Sequence, residues 1–208
     1  MSETEPVEPQ DTPKSSLREK SRVQDSSAAG RTLLVALLGA LIYFLVELIP
    51  MPHVSVGFFV LGLAPTLSII AVVGAIRGPI AGFLTGYLGR LLSDLILNGI
   101  VATFTFYALA FGMLGLVVGL ASYDLASGRS LAKLSLMSVI GLVFTVLLTV
   151  AVGLMVERVA TIVALGFQLA PLLTIGLPSV ILLTPLLARL WHVIAFKTSP
   201  AAVSEAFS

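Results

Sequence analysis

Two charges sit where charge is expensive. Arg90 and Asp94 lie four residues apart inside GPIAGFLTGYLGRLLSDLILNG (78–99), a run otherwise almost wholly apolar and long enough to cross a bilayer. Helical side chains at i and i+4 are neighbours, so guanidinium and carboxylate can pair directly. An ion at mid-bilayer costs about 2.5–3.5 kcal/mol on insertion scales, and pairing offsets much of that. Two uses stay open: an ion pair that fixes the rotation of one helix, or a charged contact for a ligand in a solvated cavity.

Other polar side chains border the apolar runs. Glu47 closes the first run and either snorkels to the interface or faces a cavity near His53 in the loop MPHVSVG. Tyr107, with Phe104 and Phe106, belongs to an interfacial aromatic belt or offers a stacking surface for a planar ligand. Gln168 needs partners if its amide is buried in lipid. Thr174 and Ser179 either donate into the same pocket or bond to their own helix backbone. There is no cysteine, which excludes thiol catalysis and thiolate metal sites. No GxxxxGK[ST] loop, HExxH pair or GxSxG serine occurs. His53 and His192 fall on opposite membrane faces and cannot share a metal. The sequence offers no catalytic set, no cofactor site and no metal site.

The elements that must carry these residues are membrane helices. The chain has 208 residues, 57% hydrophobic and 11% charged, with mean hydropathy +1.06; soluble domains carry about 25% charged residues. A net charge of +1 gives no electrostatic footprint for nucleic acid. Residues 1–31 hold eleven of the twenty-three charged side chains and are read as a disordered tail. Residues 32–196 are the transmembrane domain, and 197–208 a short second tail. The expected fold is all-α, a bundle of six spans: 32–49, 58–76 with a kink at Pro65, 80–98, 101–122, 134–156, and 171–194 after a short or re-entrant piece at 159–170. With six spans both termini share a side. That side receives ten Lys and Arg and the other only Arg158, so the termini are expected in the cytoplasm. Asp94 and Asn98 then lie in the outer part of their span.

In the third span Gly82, Gly86, Gly89 and Ser93 fall within about 60° of one another at about 100° per residue. They form a seam of small residues that lets two helices approach closely in lipid, with Arg90 and Asp94 just beside it. Ala36 and Ala40 make a similar step, ALLGA, in the first span, and Gly115 and Gly119 another in the fourth.

Three stretches together resemble the substrate-binding S components of energy-coupling factor (ECF) vitamin transporters: the opening helix with ALLGA followed by ELIPMPHVSVGF, the block LAPTLSIIAVVGAIRGPIAGFLTGYLGRLLSD, and the last span with LPSV. The resemblance covers most of 32–196. It implies a six-helix, non-catalytic subunit in the plasma membrane that captures a small organic micronutrient, a vitamin or precursor, from outside. It further implies a pocket capped by the first extracellular loop, with Glu47, His53, Arg90, Asp94, Asn98, Tyr107, Gln168 and Ser179 as candidate contacts. The implied partners are a transmembrane coupling subunit and two cytoplasmic ATPases, docked through Ala36 and Ala40, which match the family's AxxxA step. The family often carries an acid where this chain has Arg90. The chain lacks the Met-His start of the nickel and cobalt relatives, which argues against a metal cargo. The alternative reading is a membrane scaffold of the MreD-like type, acting in cell-wall or shape machinery.

Overall fold

A computed structural model describes residues 26–51, 53–56, 59–99, 104–125, 127–156, 158 and 160–197. The chain divides into two compact units, residues 1–31 and 32–208. The tail expected over 1–31 lies outside the described residues as far as residue 25. From Ser26 the chain is already helical, so α1 runs Ser26–Glu47, and Ala28 and Ala29 are strong helix formers at its start.

After α1 come two short strands, β1 (Val54–Val56) and β2 (Phe59–Leu61). They pair antiparallel with Val54 opposite Leu61, Ser55 opposite Val60 and Val56 opposite Phe59. The all-α expectation is corrected here. The sequence VSVGFFVL sets β-branched and aromatic residues on either side of a glycine, which is a hairpin signal. The helix α2 covers Pro65–Arg77 and α3 covers Pro79–Asn98. Pro65 does not kink a span; it stands at the first turn of α2, where its missing N–H costs nothing. Gly78 joins α2 to α3 at φ +97°, a conformation that L side chains rarely adopt.

The helix α4 is Phe104–Gly119 and α5 is Gly128–Met155. The start of α5 lies six residues before the expected 134, because Arg129–Lys133 continue the helix past the apolar run. The last helix, α6, is one run where a separate re-entrant piece and a span were expected. It comprises Thr161–Val163, a π-helical segment Ala164–Leu169, Ala170–Pro178, a second π segment Ser179–Leu183, and Thr184–Lys197. The prolines bend the bonding pattern without ending the helix. Pro185 has no N–H for the Ile181 carbonyl, and Ser135 Oγ of α5 donates to it instead at 3.2 Å.

Four of the six helices are long and apolar enough to cross a membrane alone: Ala29–Glu47, Pro79–Leu97, Gly128–Met155 and Thr161–Ala195. The stretches Pro65–Arg77 and Phe106–Gly119 are shorter; at 1.5 Å per residue α2 reaches only about 20 Å. Against the expectation of six full spans, the described residues therefore give six helices and four full-length candidates. Wide apolar faces are exposed, including Leu34, Leu41, Leu97, Phe144, Leu147 and Leu182. Apolar surface on that scale is what a bilayer covers, and the chain is a membrane protein.

The core forms where α4 meets α2, α3 and α5. Leu67 and Ile70 of α2, Leu114 and Val118 of α4, Leu142 of α5 and Val180 of α6 are fully or nearly fully buried. Glycines set the α3–α4 distance. A Cβ at Gly82 would lie 2.5 Å from the Gly115 carbonyl oxygen, and one at Gly86 2.6 Å from that of Phe111. Gly119 packs on Pro79 in the same way. The small-residue seam read in the third span is thus a backbone-to-backbone contact with the fourth helix.

Candidate functional site

The α3 seam places the charges. Where Gly89 ends the close approach, the Tyr43 ring of α1 rests on it, 2.8 Å from where a Cβ would stand. One residue on, Arg90 turns toward α1. Its NH1 donates to Glu47 Oε1 at 3.1 Å, its Nε to Asp94 Oδ2 at 2.9 Å, and its NH2 pairs with Asp94 Oδ1 at 2.8 Å. The bond to Asp94 is a fork that matches the planar guanidinium. The Phe111 ring of α4 faces the guanidinium carbon at 5.2 Å, a cation–π contact. Asp94 is 1% exposed, whereas the Arg90 and Glu47 side chains keep 26% and 23% of their surface. The cluster therefore grades from a sealed carboxylate to a partly open one. Two carboxylates share one guanidinium, and although the Glu47 side chain keeps some exposure its Oε2 is itself buried.

Beside Glu47 lies a cavity of about 400 Å³. Its walls are the end of α1 with Ile49 to Met51, His53, Val60 of β2, the segment Gly62–Thr66 that leads into α2, and Ile175 of α6. Of the ionisable residues among the described ones, only Glu47 and His53 line it. His53 Nδ1 lies 3.2 Å from the Met51 carbonyl. Volumes of 300–1,000 Å³ with few polar groups are typical of small-molecule pockets.

The wall formed by residues 60–66 hangs from α6. Val60 N–H donates to Thr174 Oγ1 at 3.3 Å, and Ala64 N–H to Ser179 Oγ at 2.6 Å. Ser68 Oγ donates to the Ser179 carbonyl at 2.9 Å. Ser179 Oγ in turn donates to the Ile175 carbonyl at 2.7 Å. Of the uses open to Ser179, the geometry gives the bond to its own helix, and adds the grip on Ala64 that the sequence did not suggest.

Tyr107 and Gln168 meet elsewhere, between α4 and α6: Gln168 Nε2 donates to Tyr107 Oη at 2.8 Å. The Gln168 amide fills the space left by Gly153 of α5, and its Oε1 is buried without a partner. Neither residue lines the cavity. The structure thus forms one group from Glu47, His53, Arg90 and Asp94, a second from Tyr107 and Gln168, and puts Ser179 behind the cavity wall. The Asn98 side chain lies outside the described residues. Sequence reasoning missed Tyr43, Phe111 and the β-hairpin; of these, only the hairpin carried a readable signal.

Ala36 and Ala40 are 0% and 4% exposed. The Ala36 carbonyl accepts a bond from Thr85 Oγ1 of α3 at 3.3 Å. The small step expected to meet a partner is here covered by α3, since small residues that let a partner approach let α3 approach equally well. The open side of α1 instead joins α2 and α6 in an apolar groove of about 500 Å³, which includes Leu38, Ile42, Val72 and Leu190, with Arg77 and Trp191 also lining it.

No curated protein and no solved structure matches the chain. Residues 28–191, which include the charged cluster, the cavity and the Tyr107–Gln168 pair, match the family described as ECF-type riboflavin transporter, S component, and the chain belongs to that family of transporter subunits.

Proposed function

We propose that the chain is the capture subunit of an ECF-type importer, that its ligand is a flavin of the riboflavin class, and that the ligand sits in the cavity walled by Glu47, His53 and the β-hairpin. The observation that carries this reading is the cavity itself. It has about 400 Å³ of space, with the Glu47 carboxylate and His53 in its otherwise mostly apolar wall. A flat ring system needs apolar walls, which Ile49, Met51, Val60 and Ile175 offer, and riboflavin's imide and hydroxyl groups need acceptors, which Glu47 offers. The ten-to-one bias of Lys and Arg supports cytoplasmic termini and hence a cavity that opens outward. Docking onto a coupling subunit driven by two ATPases comes with the family. With Ala36 and Ala40 buried, the exposed Leu38 and Ile42, which line the apolar groove beside them, are the α1 residues proposed to meet such a partner. No observation favours the scaffold reading.

One preparation tests both parts. The chain, co-expressed with a coupling subunit and its ATPases and purified in detergent, should retain riboflavin identifiable by absorbance and mass spectrometry. Leu38→Trp should lose the coupling subunit from the purified complex while keeping the vitamin. Absence of any retained or titratable flavin in the wild type overturns the ligand assignment; undiminished co-purification of Leu38→Trp overturns the docking face.

A further inference from the structure

The connection between α1 and α2 is apolar throughout. Residues 48–63, LIPMPHVSVGFFVLGL, contain no Asp, Glu, Lys or Arg, the residues that normally dress a surface facing water. The hairpin sorts these side chains by face. Strand residues alternate, and the register sets Val56 opposite Phe59 and Ser55 opposite Val60. Val54, Val56 and Phe59 therefore share one face, and Ser55 and Val60 the other. Val60 lines the cavity. The first three point away from it and are 63%, 63% and 60% exposed.

The length of α2 sets the depth of this face. The helix ends at Arg77, an exposed charge at the turn into α3. Its 13 residues cover about 20 Å at about 1.5 Å per residue. Hydrocarbon is about 30 Å thick, so Pro65 stands about 10 Å short of the far boundary. Extended chain at about 3.3 Å per residue crosses that distance between Ala64 and Phe59. Non-helical backbone at such depth must have its polar groups met by protein. Here Val60 and Ala64 donate to hydroxyls of α6, and β1 pairs with β2. In the chain the exposed face follows Leu45, Leu48 and Ile49 at the end of α1, whose exposure belongs to the apolar surface that the bilayer covers.

We propose that the face formed by Val54, Val56 and Phe59 is a lipid contact, so that the cavity wall is held by α6 on one side and by acyl chains on the other. The leaflet is the one opposite Arg77, which is the outer one in the orientation proposed above. The second edge of β1 pairs with no further strand among the described residues. It lies at headgroup level, where water meets its backbone groups.

The chain has no cysteine, so single cysteines can carry a nitroxide label without background. The test is power-saturation spin resonance on the full chain in phosphatidylcholine vesicles, without flavin. It compares collisions with oxygen, which concentrates in lipid, and with a water-soluble nickel chelate. Labels at Val56→Cys and Phe59→Cys should show an oxygen-to-nickel ratio about threefold or more above that of Ser55→Cys, since adjacent strand residues point to opposite faces. The ratio should approach that of Leu147→Cys on the exposed apolar side of α5. If either hairpin variant fails to fold, Val54→Cys on the same face replaces it. A ratio no higher than at Ser55→Cys places the face in water, and shielding from both reagents places it under protein, a second copy included; either result overturns the proposal. The readout needs neither a bound flavin nor a known orientation, so it stands or falls apart from the ligand reading.

Discussion

Two helices border the cavity with buried polar groups, and they hold them by different means. The helix α3 is regular from Pro79 to Asn98. Its charged content is an ion pair from its own sequence, Arg90 to Asp94, extended to Glu47 of α1. The helix α6 has no charged residue from Thr161 to Leu187. Its polarity is hydroxyls and carbonyls, made available by three prolines and two π segments. Charge in lipid demands a partner at fixed geometry, and a straight helix with i, i+4 spacing supplies it. Neutral polarity can be shared with the next segment of chain, and a π segment frees backbone groups for that purpose. Accordingly α3 fixes a charge beside the cavity, while α6 holds the cavity wall in place.

The comparison predicts that disturbing α3 costs most. Arg90→Leu removes the cation shared by two carboxylates and takes the guanidinium from Asp94, a carboxylate only 1% exposed. Breaking a buried pair in this way costs about 3–5 kcal/mol. Thermal unfolding in detergent should show a large fall in midpoint or a failure to assemble. The double change Arg90→Leu, Asp94→Leu should recover most of the loss, because an apolar pair of similar volume needs no partner. If the single and double variants are equally unstable, Arg90 matters for its packing on Phe111 and not for charge.

Next in size is the seam below the cluster. A Cβ on Gly115 would run into the Gly82 carbonyl group. Both neighbours are backbone, so relief requires α3 and α4 to move apart. Gly115→Ala should cost about 1–3 kcal/mol, the range for overpacking a dense core. Gly128→Ala, at the start of α5 with no atom within 4 Å of the added carbon, should be neutral by the same measurement. Equal effects at the two positions would mean that the α3–α4 approach is looser than its glycines require.

What was legible in the sequence follows the same division. The third helix could be read almost to the residue, because a run of apolar side chains bounded by Gly78-Pro79 and Gly99 leaves few alternatives. The pairing of Arg90 with Asp94 follows from spacing alone. Its extension to Glu47 did not, since nothing in a linear pattern brings residue 47 to residue 90. The last helix was misread because three prolines in fifteen residues argue for breaks. That rule omits carbonyl acceptance by a neighbour, such as Ser135 for Ile181. Ala36 and Ala40 show a further limit: a small-residue step marks close contact but not with whom, and here the contact is internal.

The smallest expected effect sharpens the role assigned to α6. Ser179→Ala removes the acceptor of the Ala64 N–H and leaves the Ser179 carbonyl, which also receives the Thr184 N–H, in place. Ala64 is only half-buried, so water can take over part of the lost bond. The stability cost should be about 1 kcal/mol, typical of one neutral hydrogen bond, and well below that of Arg90→Leu. Ligand handling should change more than stability does, since Ala64 is part of the cavity wall. Dissociation of the proposed riboflavin ligand, followed by stopped-flow fluorescence, should quicken about three- to tenfold with the association rate nearly unchanged. A loss of stability as large as that of Arg90→Leu would make Ser179 a pillar of the bundle like Asp94, and the contrast between the two helices would fail. An unchanged dissociation rate would mean that α6 carries the wall without governing how long the ligand stays behind it.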